Sequence, residues 1–182
     1  MKLLLINILL FFFLCNSKEY KAVEELDLTM YVGKWYETYG DNFNKLFQGN
    51  GRCSTANYSL LDNGKVSVLN KQINENNELD TITGYAYYKD DDYGGYLTVS
   101  LENNPDAPYW VLELGPVVDN YYDYAIVSDN LALSLYVLTR DVDRFYDLYN
   151  DTVLVSLGDF GFKKKYNHPV TMDQTECYDS KN

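Results

Sequence analysis

The sequence is poor in the residues that build most catalytic and metal centres. His168 is the only histidine, and the 182 residues hold three cysteines and three methionines. Zinc sites and nucleophile–base pairs depend mainly on histidine and cysteine. The chain also has no Gly-rich phosphate loop, no Ser/His/Asp set and no spacing typical of metal ligands. We therefore expect no catalytic residues, no metal ion and no cofactor.

Positive charge is scarce as well. Lysine and arginine total 15 against 27 aspartates and glutamates, and the formal net charge is −12 at pH 7. An acidic surface repels nucleic-acid phosphates and anionic membrane surfaces. We expect no nucleic-acid partner and no stable membrane insertion, and we expect soluble partners that are neutral, apolar or basic.

Long apolar runs are absent except at the N-terminus. Residues 3–14 are apolar apart from one asparagine, and small residues follow. This run is too short to span a bilayer, which argues against a membrane anchor, and it is typical of a cleaved signal peptide over residues 1–17. Lipid attachment at Cys15 is the other alternative, but Leu14 stands where bacterial lipoprotein signals want a small residue. We expect a secreted, extracellular protein whose residues 18–182 form a single domain.

Removal of that segment leaves two cysteines, Cys53 and Cys177. In an oxidising compartment two cysteines most simply form one disulfide, whereas free thiols are the alternative for a cytosolic protein. Asn57 and Asn150 each begin an N-glycosylation sequon, Asn-Tyr-Ser and Asn-Asp-Thr. The sequence thus predicts a disulfide-bonded glycoprotein.

Tyrosine and β-branched residues are abundant, and they fall in short runs bounded by Asn, Asp and Gly, which is typical of strands. We predict strands at roughly 34–40, 53–61, 65–73, 80–88, 95–101, 109–114, 123–128 and 134–140. Short polar joins between them predict an all-β fold, an eight-stranded antiparallel up-and-down β-barrel spanning about residues 34–140.

The pattern changes after the last strand. Apolar residues then recur at three- and four-residue spacing, which predicts one α-helix over about residues 142–157, packed outside the barrel. Asp141 is a candidate N-cap, and Gly158 or Gly161 can end the helix. A further buried strand is the alternative, because residues 152–155 favour β structure. Residues 162–182 are interpreted as a C-terminal tail.

Alternation within the strands predicts which side chains face inward. Three inward sets follow from this period: Ala56, Tyr58 and Leu60; Val66, Val68 and Asn70; Tyr136, Leu138 and Arg140. These sets are mostly apolar or aromatic with a few polar members, which is the lining of a small-molecule cavity. A filled core without a cavity is the alternative.

Three segments resemble the motifs of the lipocalin family, in order along the chain. Gly33-Lys34-Trp35 matches its Gly-x-Trp motif, residues 120–127 resemble its second motif, and Arg140 stands at the arginine of its third. Several further segments resemble the apolipoprotein D branch of that family: residues 50–53, 56–60, 63–65, 68–70 and 107–110. The resemblance covers roughly residues 24–178.

The resemblance implies roles for single residues. It implies that Trp35 closes one end of the barrel beside Gly33, with Arg140 stacked on it, and that Cys53 pairs with Cys177. It also implies that four polar residues lie where the apolipoprotein D branch lines its ligand pocket: Tyr58, Asn70, Tyr109 and Tyr136. Val68 and Leu138 share inward faces with these positions and complete the expected ligand-binding set.

The function expected from this resemblance is that of an extracellular carrier of a small hydrophobic ligand, such as a fatty acid, a sterol or a related lipid, and not of an enzyme. An enzyme acting on a bound lipid is one alternative, because strand alternation lets Glu37 and Glu113 share the interior; we favour both carboxylates at the surface instead. His168 lies in the tail and is expected at the surface. A secreted protein-binding module is the other alternative, suggested by the tyrosines and by the basic residues 163–165.

Overall fold

The computed structural model describes residues 19–43 and 49–177. The predicted signal peptide and the last five residues of the tail lie outside the described residues. The strands are β1 Gly33–Gly40, β2 Arg52–Leu60, β3 Val66–Ile73, β4 Leu79–Tyr87, β5 Tyr96–Leu101, β6 Ala107–Leu114, β7 Val117–Val118, β8 Tyr121–Tyr122, β9 Tyr124–Ser128, β10 Leu135–Thr139 and β11 Val170–Thr171. The helices are α1 Leu28–Tyr31, α2 Val142–Leu148 and α3 Asn150–Phe160.

Eight of these strands form a closed antiparallel barrel. Strands β1 to β6 pair in sequence, β6 pairs with β9, β9 pairs with β10, and β10 pairs with β1 to close the sheet. The remaining strands are short: β7 and β8 form a separate hairpin, and β11 pairs with the end of β1. The predicted all-β, eight-stranded up-and-down barrel is therefore confirmed.

Asparagine side chains shape two of the turns that the sequence predicts. The Asn63 carboxamide accepts from the Lys65 backbone N–H, and Gly64 beside it adopts φ +78°. The Asn74 carboxamide oxygen accepts from the backbone N–H groups of residues 76 and 78. Such local bonds hold the chain in a turn and fix the register of the flanking strands.

The barrel wall separates two apolar clusters. Because cross-strand partners share a face, the pairings Trp35–Ala56 and Tyr58–Val68 place one cluster inside the barrel. The inner cluster includes Trp35, Ala56, Tyr58, Val66, Val68, Ala86, Leu97, Val111, Ala125, Val127 and Leu138. The prediction that Leu60 faces inward is wrong. This residue is 48% exposed, because it is the last residue of β2.

The second cluster lies outside the barrel, beneath the C-terminal helices. It includes Leu112, Ile126, Leu135, Val137, Phe145, Val153, Leu157 and Phe160. The predicted helix packs here, but it is divided: Tyr149 (φ −118°, ψ −21°) separates α2 from α3. Asp141 caps α2 by accepting from the Arg144 N–H, and left-handed Gly161 ends α3. Within the part of the chain that the structure describes, no helix is long and apolar enough to cross a membrane.

Candidate functional site

Trp35 and Arg140 lie at the end of the barrel where β1 begins, called here the closed end. The Arg140 guanidinium carbon lies 3.5 Å from the centroid of the Trp35 ring, and Trp35 is fully buried. The guanidinium also donates to five backbone carbonyls, those of Met30, Tyr31, Val32, Lys34 and Tyr122. These bonds tie the N-terminal segment to the barrel floor and engage each of the three guanidinium nitrogens.

Gly33 allows this approach. Its φ is +100°, and a Cβ there would lie 3.2 Å from an Arg140 nitrogen. Glycine takes a positive φ without steric cost, so the first residue of the Gly-x-Trp motif is explained by backbone conformation and by the space that the arginine needs.

Three tyrosines meet above Trp35. The hydroxyls of Tyr31 and Tyr109 lie 2.7 Å apart, and those of Tyr58 and Tyr109 lie 3.2 Å apart. Tyr31 and Tyr58 also stack, with ring centroids 5.9 Å apart and planes inclined by 9°. Tyr31 was missed by the sequence reasoning because α1 precedes the first strand, where strand alternation gives no signal.

Burial keeps these hydroxyls protonated. It raises the pKa of Tyr58 to about 12 and raises the pKa values of Tyr31 and Tyr109 well above their ordinary value. Each phenol therefore remains a hydrogen-bond donor and acceptor at neutral pH, which suits the polar end of an uncharged molecule.

The other expected pocket residues share this interior. Val68 and Leu138 are buried in the inner cluster, at 6% and 4% exposure. Asn70 pairs with Ala56 and so faces inward; its side-chain oxygen is buried and makes no hydrogen bond within the described residues. Tyr136 packs against the inner cluster, and burial raises its pKa far above the ordinary value. All six predicted ligand-binding residues thus face one interior, and their role in binding stays a prediction.

The inward-facing side chains are less completely buried toward the end of the barrel where β1 finishes, called here the open end. Inward-facing residues in the closed half, such as Val66 and Val111, are buried, whereas those toward the open end are only partly buried. The partly buried members are Asn70, Ile82, Val99, Leu101, Tyr109 and Tyr136. Inward-facing side chains are therefore packed more tightly in the closed half, the barrel floor, than in the half toward the open end, called here the upper chamber.

Glu37 lies inside the barrel. It pairs with inward-facing Leu138, is only 3% exposed, and accepts a 2.6 Å hydrogen bond from the Ser54 hydroxyl. Burial, opposed by the Ser54 bond and reinforced by the charge of Asp41, raises the pKa of Glu37 from 4.5 to about 7. The expectation that this carboxylate lies at the surface is wrong.

Glu113 lies outside the barrel, so the two glutamates do not meet. The pairing of β6 with β9 shifts between Val111 and Glu113. A bulge of this kind reverses the faces that follow it, and the Tyr124 hydroxyl of the outer cluster donates to the Glu113 carboxylate at 2.9 Å. The paired carboxylates of the enzyme hypothesis are not present.

The C-terminal tail covers the seam where β1 and β2 separate. The predicted disulfide between Cys53 and Cys177 is confirmed, with Cα atoms 5.6 Å apart. Gln174 donates to the backbone carbonyls of Glu37 and Ser54, at 2.9 and 2.7 Å. The tail thus replaces strand pairing beyond the last β1–β2 partners and supports the wall beside Glu37.

The remaining polar candidates lie away from the interior. Asn57 is exposed, whereas the Asn150 side chain accepts from the Tyr39 hydroxyl at 2.7 Å. Glycosylation of either one stays a prediction. His168 lies in the tail beside the Lys165 carbonyl, and residues 163–165 are exposed. None of these residues contributes to the chamber.

Comparison with known proteins agrees with this architecture. The family model described as a lipocalin-like domain matches residues 26–163. Apolipoprotein D of Cavia porcellus is 36% identical over 105 residues, 57% of this chain and 51% of that protein. Outer membrane lipoprotein Blc of Vibrio cholerae is 32% identical over 139 residues, 76% of this chain and 78% of that protein.

Among solved structures, the allergen Per a 4 from cockroaches superimposes with a TM-score of 0.60 at 20% identity, covering 86% of this chain and 94% of that one. The chain spans about half the length of the apolipoprotein D it matches. With the barrel, the Trp35–Arg140 contact and the match over residues 26–163 taken together, the chain belongs to the lipocalin family.

Proposed function

We propose that this protein is an extracellular carrier that binds a small hydrophobic ligand in the upper chamber of its barrel and transports it. The observation that carries the proposal is the contrast along the barrel axis. The closed half is packed like a protein core, whereas apolar and aromatic side chains toward the open end are left partly exposed. Partly exposed apolar walls around a concave space are typical of a ligand site.

The affinity comes from burial of the ligand. Each methylene removed from water contributes ~0.8 kcal/mol, so an aliphatic chain against Val99, Leu101 and Leu138 gains several kcal/mol from the hydrophobic effect alone. Part of this gain offsets the loss of translational and conformational freedom on binding. No covalent step is needed, and release requires only that the ligand leave through the open end.

The polar end of the ligand is oriented by neutral groups. The Asn70 oxygen is a buried acceptor that makes no hydrogen bond within the described part of the chain, and such a group costs free energy until a donor reaches it. The hydroxyls of Tyr58, Tyr109 and Tyr136 provide further donors and acceptors. A hydroxyl-bearing lipid, for example a sterol or a fatty alcohol, suits this set.

Binding and transport of a ligand are favoured over catalysis. Glu37 is buried inside the barrel with the charge of buried Asp41 acting on it, and the second carboxylate of the enzyme hypothesis, Glu113, lies on the outer wall. Tyrosines whose pKa is raised are weak proton donors at neutral pH. The proposed function is therefore non-enzymatic.

Secretion is supported by two features. The apolar N-terminal run has the layout of a signal peptide, and the Cys53–Cys177 bridge suits an oxidising compartment. Within the folded barrel Asn57 is the more accessible of the two sequons, because Asn150 is engaged with Tyr39.

Titration with a neutral fluorescent lipophile such as Nile red, followed by displacement with dodecanol and with cholesterol, tests the proposal. Val99→Trp fills the chamber, since Val99 faces inward and is partly buried, whereas Thr98→Trp adds the same ring to the outer face. We expect dissociation constants below about 10 µM, near ~7 kcal/mol, with binding weakened by Val99→Trp and retained by Thr98→Trp. Failure of every lipophile to bind in this range, or equal binding by both variants, would contradict the proposal.

A further inference from the structure

A recess opens beside the upper chamber, at the seam between β1 and β2. Its volume is about 160 Å³. Its wall consists of Gly40 and Asp41 after β1, residues 49–51 before β2, and residues 170–173 of the tail, with Glu37 reaching in from the barrel interior. A space of this size holds several waters or the polar head of a lipid.

Only one of the two oxygens of the Glu37 carboxyl has a hydrogen-bond partner among the described residues. One oxygen accepts from Ser54, while Oε1 is buried and makes no hydrogen bond within the described residues. Gly40 leaves room for this oxygen, because a Cβ there would lie 2.6 Å from it. A buried carboxylate oxygen without a donor is costly, so the recess presents an acceptor that a ligand can use.

The charges around this oxygen have one predominant sign. Asp41 is fully buried in the same recess, and its charge acts on Glu37 and on Tyr136. Asp173 also lines the recess. Among the described residues, Arg52 brings a positive charge near the recess: its guanidinium nitrogen lies 3.4 Å from the Cys53 sulfur, and its charge acts on Asp173.

Among the described residues, the inner face of the barrel strands provides no cation to balance Glu37. The inward-facing positions of the eight barrel strands, all within the described residues, include no lysine or arginine. Arg140 follows β10 at the closed end, where each of its guanidinium nitrogens donates to a backbone carbonyl. A fatty-acid carboxylate would meet repulsion here, whereas an ammonium group would be attracted.

We propose that the recess binds the protonated amine of an amphiphile whose apolar chain lies in the barrel, with Glu37 Oε1 as the acceptor. This inference rests on the proposed carrier function and adds cationic amphiphiles to the hydroxyl-bearing lipids proposed for the same barrel. An ammonium donates to a carboxylate through a short, charge-assisted hydrogen bond, and beside a buried carboxylate that bond is stronger than its counterpart at the surface.

Proton exchange would accompany this binding. Glu37, whose pKa is about 7, is mostly neutral at pH 6 and mostly ionised at pH 8. Tyr58 and Tyr136, which face it, stay neutral across this range because their pKa values are raised, and Asp173 stays ionised because its pKa is lowered. An alkylamine remains protonated throughout, so its affinity should rise from pH 6 to pH 8.

Three ligands with the same twelve-carbon chain test the inference: dodecylamine, dodecanol and dodecanoate, each competing with Nile red for the disulfide-bonded mature chain. Glu37→Gln keeps the shape of the side chain and an acceptor for Ser54 but removes the charge. Glu113→Gln removes one carboxylate from the outer wall and is the matched control. Measurements at about pH 6 and about pH 8 add a readout that a purely structural role would not change.

At pH 8 we expect dodecylamine to bind about 10-fold or more tightly than dodecanoate. Glu37→Gln should abolish that preference and its pH dependence, while the dissociation constant of dodecanol should change by less than about twofold. Glu113→Gln should keep the preference. Binding of dodecanol with no preference for the amine, or a preference unchanged in Glu37→Gln, would overturn the amine site and leave the carrier function standing. Binding of none of the three would overturn the carrier function itself.

Discussion

Replacement of Glu37 by glutamine should stabilise the protein, and by an amount that depends on pH. The pKa of this carboxyl rises from 4.5 to about 7 on folding because burial disfavours the charged form. The folded state therefore holds the proton more tightly than the unfolded state. The stability that the carboxyl contributes is complete below about pH 4.5 and is lost as the pH rises through 7.

The magnitude follows from the two pKa values. At ~1.4 kcal/mol per pH unit, the ionised carboxylate destabilises the fold by about 3 kcal/mol at pH 8, and by less than about 1 kcal/mol at pH 5. Glu37→Gln removes this cost and keeps an oxygen for the Ser54 hydroxyl. Its stabilisation should therefore be greater at pH 8 than at pH 5 by about 2 kcal/mol.

Urea unfolding of wild type and variant at both pH values measures this difference directly. Comparison between the two pH values cancels any change in packing that the amide introduces. Glu113→Gln, which removes an equal charge from the outer wall, controls for the overall charge of the chain. A stabilisation by Glu37→Gln that is equal at the two pH values, or greater at pH 5, would refute the reasoning.

Three further changes test the closed end and the tail. Replacement of both Cys53 and Cys177 by serine should lower the free energy of unfolding by up to about 5 kcal/mol, since the bridge spans 124 residues; unchanged thermal melting would show that the bridge does not constrain the unfolded chain. Arg140→Gln should cost about 2–4 kcal/mol in urea unfolding, because several carbonyls and the Trp35 ring lose their partner. Gly33→Ala should cost about 1–2 kcal/mol through its positive φ, and a cost near zero would contradict the backbone argument.

The barrel could be predicted because its sequence signals are local. Alternation and turn residues act over a few positions, and the predicted strands coincide with the observed ones to within about two residues. The division of the helix at Tyr149 could not be predicted in this way. The helical spacing continues through residue 149, and its dihedral angles depend on how α2 and α3 pack on the barrel.

The site was less predictable, because its features depend on departures from regular geometry. Alternation assigned Glu37 and Glu113 to one face, and the bulge after Val111 moved Glu113 to the other. Tyr31 joins the pocket tyrosines through tertiary packing of a four-residue helix, which no period reveals. The raised pKa of Glu37 requires its burial near Asp41, and sequence separation alone does not give that burial.

Native mass spectrometry with the two tryptophan variants tests the central claim most directly. Wild type, Val99→Trp and Thr98→Trp would each be incubated with dodecanol, dodecylamine and cholesterol and then measured intact. We expect one bound lipophile per chain in wild type and in Thr98→Trp, and loss of that adduct in Val99→Trp. No adduct in wild type, or the same adduct in Val99→Trp, would contradict a ligand site inside the barrel.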